Sequence, residues 1–325
     1  MKKILVTGGS GFLGAEIVKQ LIQKGYKVKA LKRSNSDTSF LKDYEGKFEW
    51  VTGDVLDISS LENAMQDVSQ VYHTAAMISF SPSEKYKMFK INIEGTANVV
   101  NTALLKKVDK LLYVSSITSF GTYQFKEPIS EEIKWKEHPD NTNYAVSKHH
   151  AELEVWRGKE EGLEVLIVNP STILGKGNWN NGSLQIFKQV HDGIPFYPKG
   201  SMGFVGVADV AKASILLMDS TNKNEKFILN AENIKFKKLF EMIAGEFGVK
   251  APQKELSKFI QEIGWRYYWL KSKLTGEQPM ITKKTTQFTQ WDFNFSNQKI
   301  KDAIGFEFEP IEKVVEKACG EFKQY

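Results

Sequence analysis

Thr7-Gly8-Gly9-Ser10-Gly11-Phe12-Leu13-Gly14 is the stretch that decides how this chain is read. It follows the apolar run Ile4–Val6 and opens the segment Phe12–Lys24, where Leu13, Ile17, Leu21 and Ile22 recur near one helical face. A strand, a glycine turn and a helix in that order make an anion site. The first helical amides have no partner inside the helix, and glycine leaves room for a pyrophosphate to approach them. Glycine loops are common, so the triplet gains its weight from its strand–helix–strand setting.

The rest of the N-terminal half repeats that alternation. Strands are expected at Lys3–Val6, Tyr26–Leu31, Phe48–Thr52, Val68–His73, Lys110–Ser115 and Val165–Asn169. Helices are expected at Phe12–Lys24 (stopped by Gly25), from Ser59 or Ser60 as cap to Met65, and at Asn92–Lys106 and Tyr144–Gly162. Alternation of this kind implies an α/β fold, a doubly wound parallel sheet with helices on both faces. Ligands bind such sheets beyond the carboxyl ends of the strands. After residue 170 the pattern changes. Asn178–Gly182 reads as loop, Phe204–Met218 as a strand–helix unit with Asp209 at the helix start, and 231–325 as mainly helical. The expected organisation is a dinucleotide-binding unit over 1–170, rejoined by 204–230. A smaller, mainly helical C-terminal substrate and lid region spans 171–203 and 231–325.

Composition narrows the function. The chain has 325 residues, 41% hydrophobic and 12% aromatic, enough for a large core. The net charge of +5 is scattered in pairs such as Lys106-Lys107 and Lys237-Lys238, with none of the clustering that a nucleic-acid footprint needs. The lone Cys319 excludes an internal disulfide and a multi-cysteine metal site, so no metal is expected. No apolar run approaches the ~18 residues of a membrane span, and the start has no signal-peptide shape. A cytoplasmic setting without membrane insertion is expected.

Tyr144-Ala145-Val146-Ser147-Lys148 places a phenol and an ammonium on one helical face. A tyrosine with an ordinary pKa of ~10 becomes a better acid beside a cation that stabilises its phenolate. Upstream, Tyr113-Val114-Ser115-Ser116-Ile117-Thr118 ends a strand with hydroxyls that can polarise a carbonyl.

Together, the T-G-x-x-G-x-x-G turn, the serine segment and Y-x-x-x-K resemble the extended short-chain dehydrogenase/reductase family. That family includes the NAD(P)-dependent epimerases and dehydratases. The dihydroflavonol-reductase-like and 3β-hydroxysteroid-dehydrogenase-like members are most similar, and the resemblance covers roughly 1–230. It implies a Rossmann-type sheet and a catalytic triad of Ser116, Tyr144 and Lys148, with Ser115 supporting the turn. It also implies a cofactor held by Thr7, Gly8, Ser10, Gly11, Phe12, Leu13 and Gly14. Further cofactor contacts implied are Asp54 and Val55, Thr74, Ala75 and Ala76, Asn92, Tyr144 and Lys148, and Asn169, Pro170 and Ser171. His73 reads as structural, and Asn92 reads equally as a helix cap. A homodimer is typical of similar proteins.

Lys32-Arg33 stands where a ribose-binding acid would end the second strand. A guanidinium there grips a 2′-phosphate, so NADP(H) is favoured over NAD(H). The expected reaction is hydride transfer between that cofactor and a ketone or aldehyde, or the corresponding alcohol. Phe80, Phe120, Trp135, Trp179, Phe187, Phe196 and Tyr197 flank the motifs and suggest an apolar or aromatic small-molecule substrate. The aromatic segment 259–270 is expected to pack as core or lid. The alternatives are an NAD-dependent nucleotide-sugar epimerase/dehydratase and, from another class, a non-catalytic cofactor-sensing protein.

Overall fold

The computed structural model describes residues 2–179, 182–275 and 283–322. The first half runs β1 (Lys3–Thr7), α1 (Phe12–Gln23), β2 (Lys27–Lys32), β3 (Glu49–Thr52), α2 (Ile58–Ala64) and β4 (Gln70–His73). It continues with α3 (Lys85–Phe89), α4 (Gly95–Leu105), β5 (Lys110–Val114), α5 (Asn143–Glu160) and β6 (Glu164–Pro170). Then come β7 (Thr172–Leu174), α6 (Gln185–His191), β8 (Phe196–Tyr197), β9 (Ser201–Gly206), α7 (Val207–Asp219) and β10 (Glu225–Leu229). The last part contains β11 (Glu232–Lys235), α8 (Phe236–Phe247), β12 (Lys254–Glu255), α9 (Lys258–Thr275), α10 (Lys283–Phe288), α11 (Gln298–Ile304) and α12 (Ile311–Phe322).

Seven strands form one parallel sheet in the order β10-β6-β5-β4-β1-β2-β3. Crossovers cover both faces, so its central strands read as unbroken apolar runs; Leu111, Leu112 and Tyr113 of β5 are buried in succession. One face carries α1, α7 and α11, whose Ile17, Leu21, Ile215, Leu217 and Ile300 fill a core with Val6 and Leu166. The other carries α2, α4 and α5, whose Leu61, Val99 and Val155 meet Leu5, Val71 and Ile167. Each such side chain, fully withdrawn from water, contributes about 1.5–3 kcal/mol. The chain winds outward in opposite directions from β1 and β4, and this switch leaves a crevice at their carboxyl ends.

A third core lies over that crevice. It is built on a small sheet, β11-β9-β7, in which β7 and β9 are parallel and β11 is antiparallel to β9. Phe204 of β9 packs there with Ile234, Phe236, Phe293 and Val315.

Several local expectations change. The helix after β3 is capped by Asp57, whose carboxylate accepts from the Ser60 amide at 3.3 Å, and not by Ser59 or Ser60. The helix expected from Asn92 begins at Lys85 and passes through a π turn at Lys90–Glu94, which puts Asn92 inside it, so Asn92 is no cap. Asp209 sits in the first turn of α7, where its carboxylate accepts from the Glu309 amide at 2.7 Å. The strand of the 204–218 unit belongs to the small sheet, while β10 returns to the large one. Within the loop expected at 178–182, residues 180–181 lie outside the described residues.

Phe204→Ala should destabilise the protein by about 3–5 kcal/mol, because the side chain is fully enclosed and its cavity cannot collapse onto a β-strand scaffold. Urea denaturation would show this; a loss below about 1 kcal/mol would mean that the third core is loosely packed.

Candidate active site

The glycine turn forms the floor of the crevice. Gly8 adopts φ +67°, and a Cβ there would lie 2.8 Å from the Ala75 amide nitrogen. At Gly14 a Cβ would lie 2.1 Å from the Gly8 carbonyl oxygen, so only glycine lets α1 start this close to the turn. Gly11 is the N-cap of α1 and supplies no capping side chain, which leaves the first-turn amides to an outside acceptor. This cradle, uncapped and open to a pyrophosphate, fits a dinucleotide. Around it, Ser10 and Leu13 are half-buried, and the Phe12 ring lies 6.4 Å from Phe40 beside Gly175 and Gly177. Asp54 bonds the Leu56 amide at 2.9 Å, Val55 is buried, and Thr74 and Ala75 line the far side with Ala76 exposed. At the end of β2, Lys32 lies over the Trp50 ring, and Arg33 is exposed with no carboxylate paired to it among the described residues.

Ser116 and Tyr144 come together at the ends of β5 and α5. Ser116 caps a short 3₁₀ turn, its hydroxyl accepting from Thr118 through the amide at 3.2 Å and the hydroxyl at 3.0 Å. Thr142 caps α5 through the Ala145 amide at 3.1 Å, which fixes the helix start at Asn143, one residue before Tyr144. Burial pushes the Tyr144 phenol up to about 12, and a hydrogen bond with Ser116 pulls it partly back. Lys148 shares the helical face, but its ammonium reaches inward, donating to Tyr113 Oη at 2.5 Å and to the Val114 carbonyl at 2.8 Å. Burial brings Lys148 down to about 7, and the charge of Glu152 partly offsets that. The expectation that Lys148 depresses the Tyr144 pKa is therefore not met here: desolvation dominates, and the lysine is occupied by β5. Ser115 does not support the turn either. Its hydroxyl is buried without a partner, and the Ser116 carbonyl is held instead by Ser119 Oγ at 2.8 Å and Asn169 Nδ2 at 3.2 Å. Asn169 Oδ1 at the end of β6 and Ser171 Oγ just after it are likewise buried without a partner among the described residues.

A buried thread of hydrogen bonds joins the glycine turn to the tyrosine helix. The Thr96 hydroxyl donates to the Asn92 carbonyl at 2.6 Å, so it must accept from His73 Nε2 at 3.0 Å. His73 Nδ1 is then the acceptor for the Thr7 hydroxyl at 2.7 Å. Asn92 donates to the Ser147 hydroxyl at 3.0 Å and clamps Met77 through its amide and carbonyl. Ser147 closes the thread by donating to the Tyr144 carbonyl at 2.8 Å. The roles of Thr96 and Ser147 escaped the sequence reading. Their signals were their positions, one turn after Asn92 and inside the Y-x-x-x-K run.

Of the seven candidate substrate aromatics, Phe120, Trp179 and Phe187 are core residues. Phe80 is exposed and stands edge-on to Tyr144, ring centres 6.2 Å apart. In the segment 259–270, expected to pack as core or lid, Phe259, Ile263 and Tyr267 are exposed on α9 while Ile260 and Trp265 are half-buried; the side chains of Tyr268–Leu270 lie outside the described residues. Among the described residues no helix is long and apolar enough to cross a membrane, and no group of ligating side chains could hold a metal.

Burial lowers the pKa of His73 from 6.5 to about 3. The folded protein therefore keeps it neutral while the unfolded chain takes up a proton below pH ~6.5, so stability falls as pH drops from ~6.5 toward ~3, by up to about 1.4 kcal/mol per unit. Urea denaturation should show a shallower decline over that window for His73→Gln. Equal slopes would contradict this assignment.

The chain resembles known proteins in both sequence and fold. The chain is 29% identical to cinnamoyl-CoA reductase 1 of Petunia hybrida over 95% of its own length and 89% of that protein's. A crystal structure of gox2253 superposes with a TM-score of 0.85 at 30% identity, covering 100% of this chain and 98% of that one. A UDP-glucose 4-epimerase from Thermotoga maritima shares the fold, with a TM-score of 0.80 at 19% identity over 99% of both chains. The family model for the NAD dependent epimerase/dehydratase family matches residues 4–231. The chain thus belongs to that family and is an NAD(P)-dependent enzyme of the extended short-chain dehydrogenase/reductase type.

Proposed function

We propose that the protein reduces a ketone or aldehyde with NADP(H), using Ser116, Tyr144 and Lys148. The observation that carries this reading is the meeting of Ser116, at the carboxyl end of β5, with Tyr144, in the first turn of α5, in the crevice that the glycine turn floors. A buried phenol held near 12 and bonded to Ser116 is fully protonated at neutral pH, as a proton donor to a nascent alkoxide must be. Ser116 would donate to the carbonyl oxygen and stabilise the charge that develops there. Lys148 would contribute positive charge beside the phenol and a donor for the ribose. The nicotinamide, when bound, supplies the hydride. Gly8, Gly11 and Gly14 would admit the pyrophosphate, and Asp54 would receive the adenine amine. The Arg33 guanidinium, exposed and without a paired carboxylate among the described residues, supports the NADP(H) preference, since it can grip a 2′-phosphate in bidentate fashion. The similarity to cinnamoyl-CoA reductases supports a reductase, and exposed Phe80 beside Tyr144 supports an apolar or aromatic substrate.

Tyr144→Phe should lower kcat for carbonyl reduction by about 100-fold or more while leaving cofactor affinity within about twofold. Near-wild-type turnover would overturn the assignment. Arg33→Glu should weaken NADPH binding by about tenfold or more and leave NADH binding nearly unchanged. Equal NADPH affinity in the variant would remove the NADP(H) preference. Tightly copurifying NAD with no net turnover would favour the epimerase/dehydratase alternative.

A further inference from the structure

Glu152 follows Lys148 by one turn of α5, at the edge of the face that carries Tyr144. Only 4% of its surface is exposed, yet no cation lies within ion-pair distance of it among the described residues. Burying a carboxylate without a paired cation is costly, so its place needs an explanation beyond a salt bridge. One of its oxygens accepts from Asn169 Nδ2 at 2.6 Å. The same amide nitrogen lies 2.9 Å from Ser119 Oγ and 3.2 Å from the Ser116 carbonyl. Ser119 in turn donates to that carbonyl at 2.8 Å. Asn169 Oδ1 has no partner, so the orientation of the amide is set by what Nδ2 bonds. Glu152 is therefore connected through one side chain of β6 to the backbone of Ser116.

We propose that Glu152 is a positioning residue for the reaction, ordering Asn169 and the Ser116 turn through its carboxylate and placing a negative charge one helical turn from Lys148. The inference rests on the reading of Ser116, Tyr144 and Lys148 as the reacting set. Burial favours a neutral Lys148, and Glu152 is the charge that opposes this. The other ionisable groups near the carboxylate are His149 on α5, Tyr113 on β5 and Lys226 on β10, with Glu131, Glu132 and Lys134 from the preceding loop. These last groups and Glu152 border a cavity of about 350 Å³. Neither Ser116 nor Tyr144 lines that cavity; Glu152 borders it and reaches the Ser116 carbonyl through Asn169.

Two substitutions separate the two effects. Glu152→Gln keeps an acceptor for Asn169 but removes the charge; Glu152→Ala removes both. Lys148 is titrated in the cofactor-free protein by NMR of labelled lysine side chains, with Lys148→Arg for assignment. Its midpoint should fall by about half a pH unit or more in both variants. The alkaline limb of kcat/KM should move acidward by the same amount. In Glu152→Ala, kcat should fall about tenfold further than in Glu152→Gln, with substrate KM within about twofold. An unchanged midpoint together with wild-type kcat in folded variants would overturn the proposal. Should Glu152→Ala not fold, Glu152→Gln alone decides by its midpoint. A wild-type protein that reduces no carbonyl refutes the proposed function, while the Lys148 midpoint in the cofactor-free protein still tests this inference.

Discussion

A chain of buried hydrogen bonds from Thr7 through His73, Thr96, Asn92 and Ser147 to the Tyr144 carbonyl is the constraint on which the site depends. Every member is withdrawn from water, so each must find its partner inside the protein or pay the full cost of desolvation. The thread crosses from β1 through β4 and α4 to α5. The turn that would receive the pyrophosphate and the helix that carries the phenol are thereby held in one register. The π turn at Lys90–Glu94 belongs to the same arrangement, because it places Asn92 where its amide meets both Met77 and Ser147.

Burial also sets the chemistry. The desolvation that keeps His73 neutral raises Tyr144 and lowers Lys148, so the free protein holds a protonated phenol and a lysine that gives up its proton more readily than an exposed one. That is the state expected of a proton donor. In the free protein the lysine is directed to Tyr113 and Val114, which makes the ammonium a reserve of charge behind the phenol more than a direct bonding partner. Glu152 on α5 and Asn169 on β6 then matter because their hydrogen bond links a carboxylate one helical turn from Lys148 to the Ser116 carbonyl.

The sequence carried the large sheet clearly, since parallel strands buried on both faces leave apolar runs and the glycine turn marks the first crossover. The small sheet was not legible. β7, β9 and β11 are three to six residues long and come together only through contacts distant in sequence, which local periodicity does not record. Ser116, Tyr144 and Lys148 could be named from spacing, but the inward turn of Lys148 could not, because i, i+4 spacing sets the face and not the partner. Ser115 shows the same limit: two adjacent hydroxyls read alike until the backbone places one at a cap and the other in the core. On α9 an aromatic-rich run leaves Phe259, Ile263 and Tyr267 exposed, because composition marks a segment as apolar without fixing which of its side chains the fold covers.

Burial, with the Ser116 hydrogen bond as its counterweight, holds the Tyr144 phenol above the ordinary tyrosine range. Tyrosinate absorbance measured against pH for the cofactor-free protein, with Tyr144→Phe subtracted, tests it most directly. The difference signal attributable to Tyr144 should emerge only as pH approaches about 12. A difference signal titrating at the ordinary tyrosine value of ~10 or below would contradict this.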